Sequence, residues 1–215
     1  MKFFTTNRGV LLKDIPGPAK KRLVLLKRLL AGYGDELITS ARIEEMTGWT
    51  AALIRRDISL LELRCGARGG YKVRELKEAL DTALNLEDEE IRCCIVGLGR
   101  LGQILLDSSE IQGSPFKLVA GFDSNVNRTE VLRSTFPLHP TTLLESVVKK
   151  EGIRYALLAV PVNEAQELAS RLCSAGIMGI VNYTPCMLSV PSNVAVENVS
   201  LLTALENLNA RRHGI

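Results

Sequence analysis

The stretch Ile91-Arg-Cys-Cys-Ile-Val-Gly97-Leu-Gly99-Arg-Leu-Gly102-Gln-Ile-Leu-Leu constrains this chain more than any other. Its first six residues are apolar except for Arg92 and read as a buried strand. Three glycines then break it, and the apolar spacing beyond them reads as the first turns of a helix. Each glycine has its own task at this spacing. Gly97 allows the tight turn off the strand, Gly99 lets backbone approach a pyrophosphate, and Gly102 brings helix and strand into close packing. The amides at the start of the helix face the phosphates. The next ~20 residues run through Lys117-Leu-Val-Ala-Gly-Phe-Asp123, an apolar strand that ends in a carboxylate. An acid there accepts hydrogen bonds from ribose hydroxyls and repels a 2′-phosphate, and no arginine follows it directly. The expectation is an NAD(H) site rather than an NADP(H) site, with Gly97, Leu98, Gly99, Arg100, Leu101, Gly102 and Asp123 as candidate cofactor residues.

Downstream, strand and helix patterns alternate. A helix spans 143–151, Tyr155-Ala-Leu-Leu-Ala-Val160 is an apolar strand, 163–175 a helix, and Gly179-Ile-Val-Asn-Tyr183 another strand. Such alternation predicts a doubly wound parallel sheet of the Rossmann kind, with ligands at the carboxyl ends of its strands. Those ends add Val160, Pro161, Asn182 and Tyr183 to the candidate cofactor residues, and Pro161 and Tyr183 are placed to flank a nicotinamide.

The first part of the chain has a different character. Residues 1–85 hold 16 Lys and Arg against 10 Asp and Glu, whereas the remainder holds 11 against 14. A basic N-terminal module suits a polyanion. Residues 1–18 end in Ile15-Pro-Gly-Pro18 and read as an arm, followed by a helix from Lys20 to Ala31 with Leu23, Leu26 and Leu30 on one face. Thr39-Ser40 caps a short helix closed by Gly48, and Trp49-Thr50 caps a second over 51–62. Two short helices about a glycine turn make a helix-turn-helix. Arg64-Cys-Gly-Ala-Arg-Gly-Gly-Tyr-Lys-Val73 then reads as a basic hairpin, the wing of a winged helix. In such a domain the second helix enters the major groove and basic wing residues hold phosphates. The candidate DNA contacts are Thr50, Arg55, Arg56, Ser59, Arg64, Arg68 and Lys72. A helix over 73–86 and the acidic run Glu87-Asp-Glu-Glu90 mark the border, giving a winged-helix DNA-binding domain over 1–86 and a Rossmann domain over 87–198.

Other features exclude alternatives. Five cysteines without a C-x-x-C pair argue against a disulfide framework and a structural zinc, and predict reduced, mostly buried thiols. No run approaches the ~20 apolar residues of a membrane helix, so a cytoplasmic, membrane-free chain is expected. The two histidines, His139 and His213, sit in a proline-flanked loop and near the end, and no Tyr-x-x-x-Lys pair occurs. No catalytic residue is assigned, and an enzyme is not expected.

From about Lys21 onward the chain resembles the Rex family of redox-sensing transcriptional repressors. Thr50-Ala-Ala-Leu-Ile-Arg-Arg-Asp-Ile-Ser59 looks like that family's recognition helix, and Gly70-Tyr-Lys-Val73 like the end of its wing. The resemblance continues through Gly97 to Gly102, Gly121-Phe-Asp123, Val160-Pro161 with Ala165-Gln166, Gly176 to Pro185, and Val196-Glu-Asn-Val199 before a last helix. It departs at Leu61 to Gly70, where the family has Phe-Gly-x-x-Gly-Lys-Arg-Gly, at Asn125 in place of a second acid, and at Ser200 in place of Asp. The resemblance implies a homodimer whose C-terminal helix, 199–215, is exchanged with the partner. It also implies a repressor that binds double-stranded operator DNA and leaves it when NADH replaces NAD. The alternative reading is a small nucleotide-binding oxidoreductase, or a coenzyme A-binding subunit whose winged helix binds protein.

Overall fold

Pro16 starts the first helix instead of delaying it. In the computed structural model, which describes residues 15–61, 69–84, 90–112 and 114–212, helix α1 runs Gly17–Ala31 with Pro16 as its N-cap. The expectation of an arm up to residue 18 is therefore corrected. Proline in a first helical turn lacks only an N–H that would be unpaired there anyway, and its fixed φ already suits a helix. Ile15, Leu23, Leu26 and Leu30 are buried in one core with Ile38, Ile43, Ile54, Ile58, Leu76 and Leu80. Each such side chain contributes about 1.5–3 kcal/mol.

The chain divides into two units, Met1–Glu89 and Glu90–Ile215. In the first, helix α2 (Ser40–Thr47) is capped by Thr39, whose hydroxyl accepts the Arg42 amide at 3.1 Å. It closes at Gly48 in the left-handed conformation, φ +75°. Helix α3 (Ala51–Ser59) follows, shorter than the expected 51–62, with Thr50 as N-cap. Strand β1 (Leu37–Ile38) pairs antiparallel with β2 (Tyr71–Lys72), and the two-residue β1 has no alternation by which sequence could reveal it. The first arm of the expected hairpin, with Arg64 and Arg68, lies outside the described residues. Helix α4 (Val73–Ala83) buries Val73, Leu76, Leu80 and Ala83 at helical spacing.

The second unit is built on one parallel sheet. Its strands are β3 (Ile91–Val96), β4 (Phe116–Asp123), β5 (Leu138–Pro140), β6 (Tyr155–Leu158), β7 (Gly179–Asn182) and β8 (Ala195–Asn198), in the order β5-β4-β3-β6-β7-β8. With β3 counted as strand one this is the 3-2-1-4-5-6 order of a dinucleotide-binding sheet, and the order reverses between β3 and β6. Helices α5 (Arg100–Leu106), α6 (Ser109–Gln112), α7 (Val126–Val131), α8 (Leu144–Lys150) and α9 (Val162–Ser174) connect the strands. Cys94 and Val96 join a core with Leu144 and Val148 of α8 and Leu168 and Leu172 of α9. Ile95, on the opposite face of β3, lies by Gly102 of α5. Both faces of the sheet are thus covered, which is why its central strands are continuously apolar. Burial pushes the Cys93 thiol up to about 12 and Cys94 higher, so neither is a nucleophile.

Helix α10 (Leu201–Arg212) is the last element among the described residues. Ser200 caps it by accepting the Thr203 amide at 3.2 Å. Among the described residues, no helix is long and apolar enough to cross a membrane.

Candidate dinucleotide site and DNA-contact face

Gly97 leaves β3 with φ +98°, and a Cβ there would stand 2.3 Å from the Ala159 carbonyl oxygen beyond β6. A Cβ on Gly102 would stand 1.9 Å from the Gly97 carbonyl oxygen. Both positions therefore admit no side chain. A Cβ on Gly99 meets nothing within 4 Å. The middle glycine faces open space, while the outer two are held by packing. Leu98 is fully buried, Gly99 half-buried, and the side chains of Arg100 and Leu101 are exposed on the first turn of α5.

Asp123 ends β4 beside this turn. Its Oδ2 accepts the Leu98 amide at 2.7 Å, and its Oδ1 accepts the Asn125 amide at 2.8 Å. The Gly97 amide donates to the Phe122 carbonyl at 2.8 Å, so strand end and glycine turn are joined twice. The carboxylate also meets Nη1 of Arg128, at 3.4 Å from Oδ1 and 3.3 Å from Oδ2. No arginine is adjacent to Asp123 in the sequence. The structure supplies one through α7, whose N-cap Asn125 accepts the Asn127 amide at 3.0 Å and turns the chain back.

Across the sheet reversal, Val160 is half-buried and Pro161 is the exposed N-cap of α9. The Tyr183 amide donates to the Leu158 carbonyl at 2.9 Å, which places Tyr183 at the end of β7. Asn182 is fully buried and its side-chain amide is consumed internally. Nδ2 donates to the Cys186 carbonyl at 2.8 Å and to Asn198 Oδ1 at 2.9 Å, and Oδ1 accepts from the Thr184 amide and hydroxyl. It shapes the loop after β7 and is not itself turned to solvent. Gln166 holds the same loop further on, donating from Nε2 to the Ser189 carbonyl at 2.9 Å and accepting the Ser189 amide at 2.8 Å. Asn182 is legible as a strand end and Gln166 from the resemblance, but their part in anchoring this loop is not. Among the described residues no group of three or more His, Cys, Asp or Glu could hold a metal ion.

In the N-terminal unit, Thr50, Arg55, Arg56 and Ser59 are exposed on α3, and Lys72 is exposed on β2. Several have local duties. Thr50 Oγ1 accepts the Leu53 amide at 3.3 Å, and Arg55 Nη1 donates to Ser40 Oγ at 3.0 Å. Ser59 Oγ donates to the Arg56 carbonyl at 2.6 Å, and Lys72 pairs with Glu75 at 2.8 Å. On the inner face of the same helix, Asp57 is buried and receives Arg22 of α1. The outer face is basic and the inner face is tied down. That suits a helix that must present fixed side chains to a groove.

Comparison with known proteins agrees with both units. Residues 14–59 match the family model described as a putative DNA-binding protein N-terminus, and residues 88–186 that of a CoA binding domain. The redox-sensing transcriptional repressor Rex of Leuconostoc citreum is 35% identical over 198 residues, covering 90% of this chain and 91% of that protein. Rex of Listeria welshimeri is 32% identical with the same coverage. Among solved structures, the Rex-family repressor RSP in complex with beta-NADH superposes with a TM-score of 0.81 at 30% identity, covering 92% of this chain and 93% of that one. RSP in complex with beta-NAD+ and operator DNA superposes with a TM-score of 0.84 at 30% identity, covering 92% of each. With likeness across nine-tenths of its length, a helix-turn-helix unit and a 3-2-1-4-5-6 sheet, this chain belongs to the Rex family of redox-sensing transcriptional repressors.

Proposed function

We propose that this chain is a homodimeric repressor that binds operator DNA through its helix-turn-helix unit and is released when NADH replaces NAD at the glycine turn. The observation that carries the cofactor half is the Leu98–Asp123 hydrogen bond beside an open Gly99. One contact draws together the turn that meets the pyrophosphate and the acid that meets the ribose. In this reading Gly97, Leu98, Gly99, Arg100, Leu101 and Gly102 receive the pyrophosphate and Asp123 the adenosine ribose. Val160, Pro161 and Tyr183 border the nicotinamide, with Asn182 holding their loop. When bound, the nicotinamide supplies the signal, because its oxidised ring carries a positive charge that the reduced ring lacks.

The DNA half rests on Thr50, Arg55, Arg56, Ser59 and Lys72, together with Arg64 and Arg68, which lie in the segment expected from sequence to form a wing. The domains divide at 1–86 and 87–198, and the segment 199–215, through helix α10, supplies the dimer contact. Leu201, Leu202, Leu205 and Leu208 are more than 60% exposed on α10, which fits a helix that seats on a second copy. A ligand moves a dimer between two geometries only by its differential affinity for them, and recognition helices must stand about 34 Å apart to enter successive major grooves. In this reading the chain acts in the cytoplasm as a regulator rather than as an enzyme.

A nucleotide titration and a salt titration test the two halves separately. NADH should bind more tightly than NAD. Binding to a palindromic A·T-rich duplex should weaken steeply with salt, and Arg56→Ala should lower that slope by about one. Equal affinity for the two nucleotides defeats the redox half, and retention of DNA that ignores salt defeats the other.

A further inference from the structure

Asp123 is more fully engaged than a free ribose acceptor. A carboxylate offers about four lone-pair positions. The Leu98 and Asn125 amides take one on each oxygen, and Nη1 of Arg128 lies across both. The Asp123 side chain is 4% exposed and that of Arg128 48%. At 3.3 and 3.4 Å the guanidinium is well beyond the ~2.7–2.9 Å of a tight charged pair, and one nitrogen bridges the carboxylate without the two-pronged fork. The two amide contacts are built into the fold. The arginine contact is loose and reached from solvent.

We propose that Arg128 sets how this chain discriminates between a 2′-hydroxyl and a 2′-phosphate on the adenosine ribose. The inference rests on the dinucleotide reading above. A ribose diol donating to Asp123 must displace the guanidinium, so Arg128 opposes NADH. A 2′-phosphate meets the same guanidinium as a partner, since arginine pairs with phosphate oxygens two at a time, and Arg128 offsets the repulsion from Asp123. The side chain thus narrows a preference that the acid alone would make wide, while NADH remains the preferred nucleotide.

The test is titration of NADH and NADPH, followed by nicotinamide fluorescence, against the wild-type chain, Arg128→Gln and Arg128→Lys. In Arg128→Gln, NADH should bind more tightly and NADPH more weakly, so that the ratio of their dissociation constants widens about tenfold. Arg128→Lys keeps the charge without the fork and should fall between. Arg128 is exposed enough that both variants keep the fold, which circular dichroism checks. A ratio that stays within about twofold of wild type, or that narrows, overturns the assignment of Arg128 while the dinucleotide reading stands. A wild-type chain that binds neither nucleotide overturns both.

Discussion

Arg22 of α1 donates twice to Asp57 of α3, from Nε to Oδ2 at 2.5 Å and from Nη2 to Oδ1 at 2.9 Å. This two-pronged pair fastens the inner face of α3 to the first helix, so the outer face presents Arg55 and Arg56 at a fixed angle. The carboxylate is buried and the guanidinium only partly exposed, which limits solvent screening. Arg22→Leu strands Asp57 and should cost about 2–3 kcal/mol of stability in the N-terminal unit. Denaturant unfolding checks this, and a loss below about 0.5 kcal/mol would assign the pair to the weak surface class.

The glycine turn separates stability from binding. Gly99→Ala places a methyl in open space at φ −67°, so the fold should be retained within about 0.5 kcal/mol. NADH affinity should nonetheless fall about tenfold or more, because in the proposed site the methyl stands where the pyrophosphate would approach. Gly102→Ala puts its methyl on the Gly97 carbonyl and should destabilise the Glu90–Ile215 unit outright. Parallel thermal melts and NADH titrations distinguish the two.

Acid should act through Glu145. Arg171 donates to it at 2.6 and 2.8 Å, and these hydrogen bonds hold the Glu145 carboxyl at about 2. Its folded value lies below its unfolded value near 4.5. The stabilisation is therefore present above the unfolded value and is lost as pH falls from there toward about 2. Melting temperatures of wild type and Glu145→Gln should differ most above pH ~5 and converge as pH drops. A difference that grows in acid would reverse the sign.

Helix α10 should control assembly. In the proposed dimer, replacing Leu205 with Glu on its apolar stripe should shift the particle toward monomer in sedimentation velocity, leaving NADH affinity within a few fold. A Leu205→Glu chain that remains dimeric would place the interface elsewhere.

Much of this was legible locally. Glycine spacing and the strand-end acid at Asp123 report backbone chemistry that any sheet of this kind needs, and the Thr39 and Thr50 caps are read from neighbouring residues. The two-residue β1, and β5 with Pro140 inside it, show too little periodicity to be seen. Pro16-Gly-Pro18 reads as a breaker when its place in the first turn of α1 is unknown. Arg128 is five residues from Asp123, and only the turn made by Asn125 brings them together. The packing that consumes the Asn182 amide, through Cys186 and Asn198, is likewise a property of the fold.

In the proposed function one nucleotide governs the hold on DNA. The most direct measurement is fluorescence anisotropy of a labelled palindromic A·T-rich duplex with the wild-type chain at fixed salt, in NAD and then in NADH. Binding should be tight in NAD and about tenfold or more weaker in NADH. Equal affinity in the two nucleotides would contradict it.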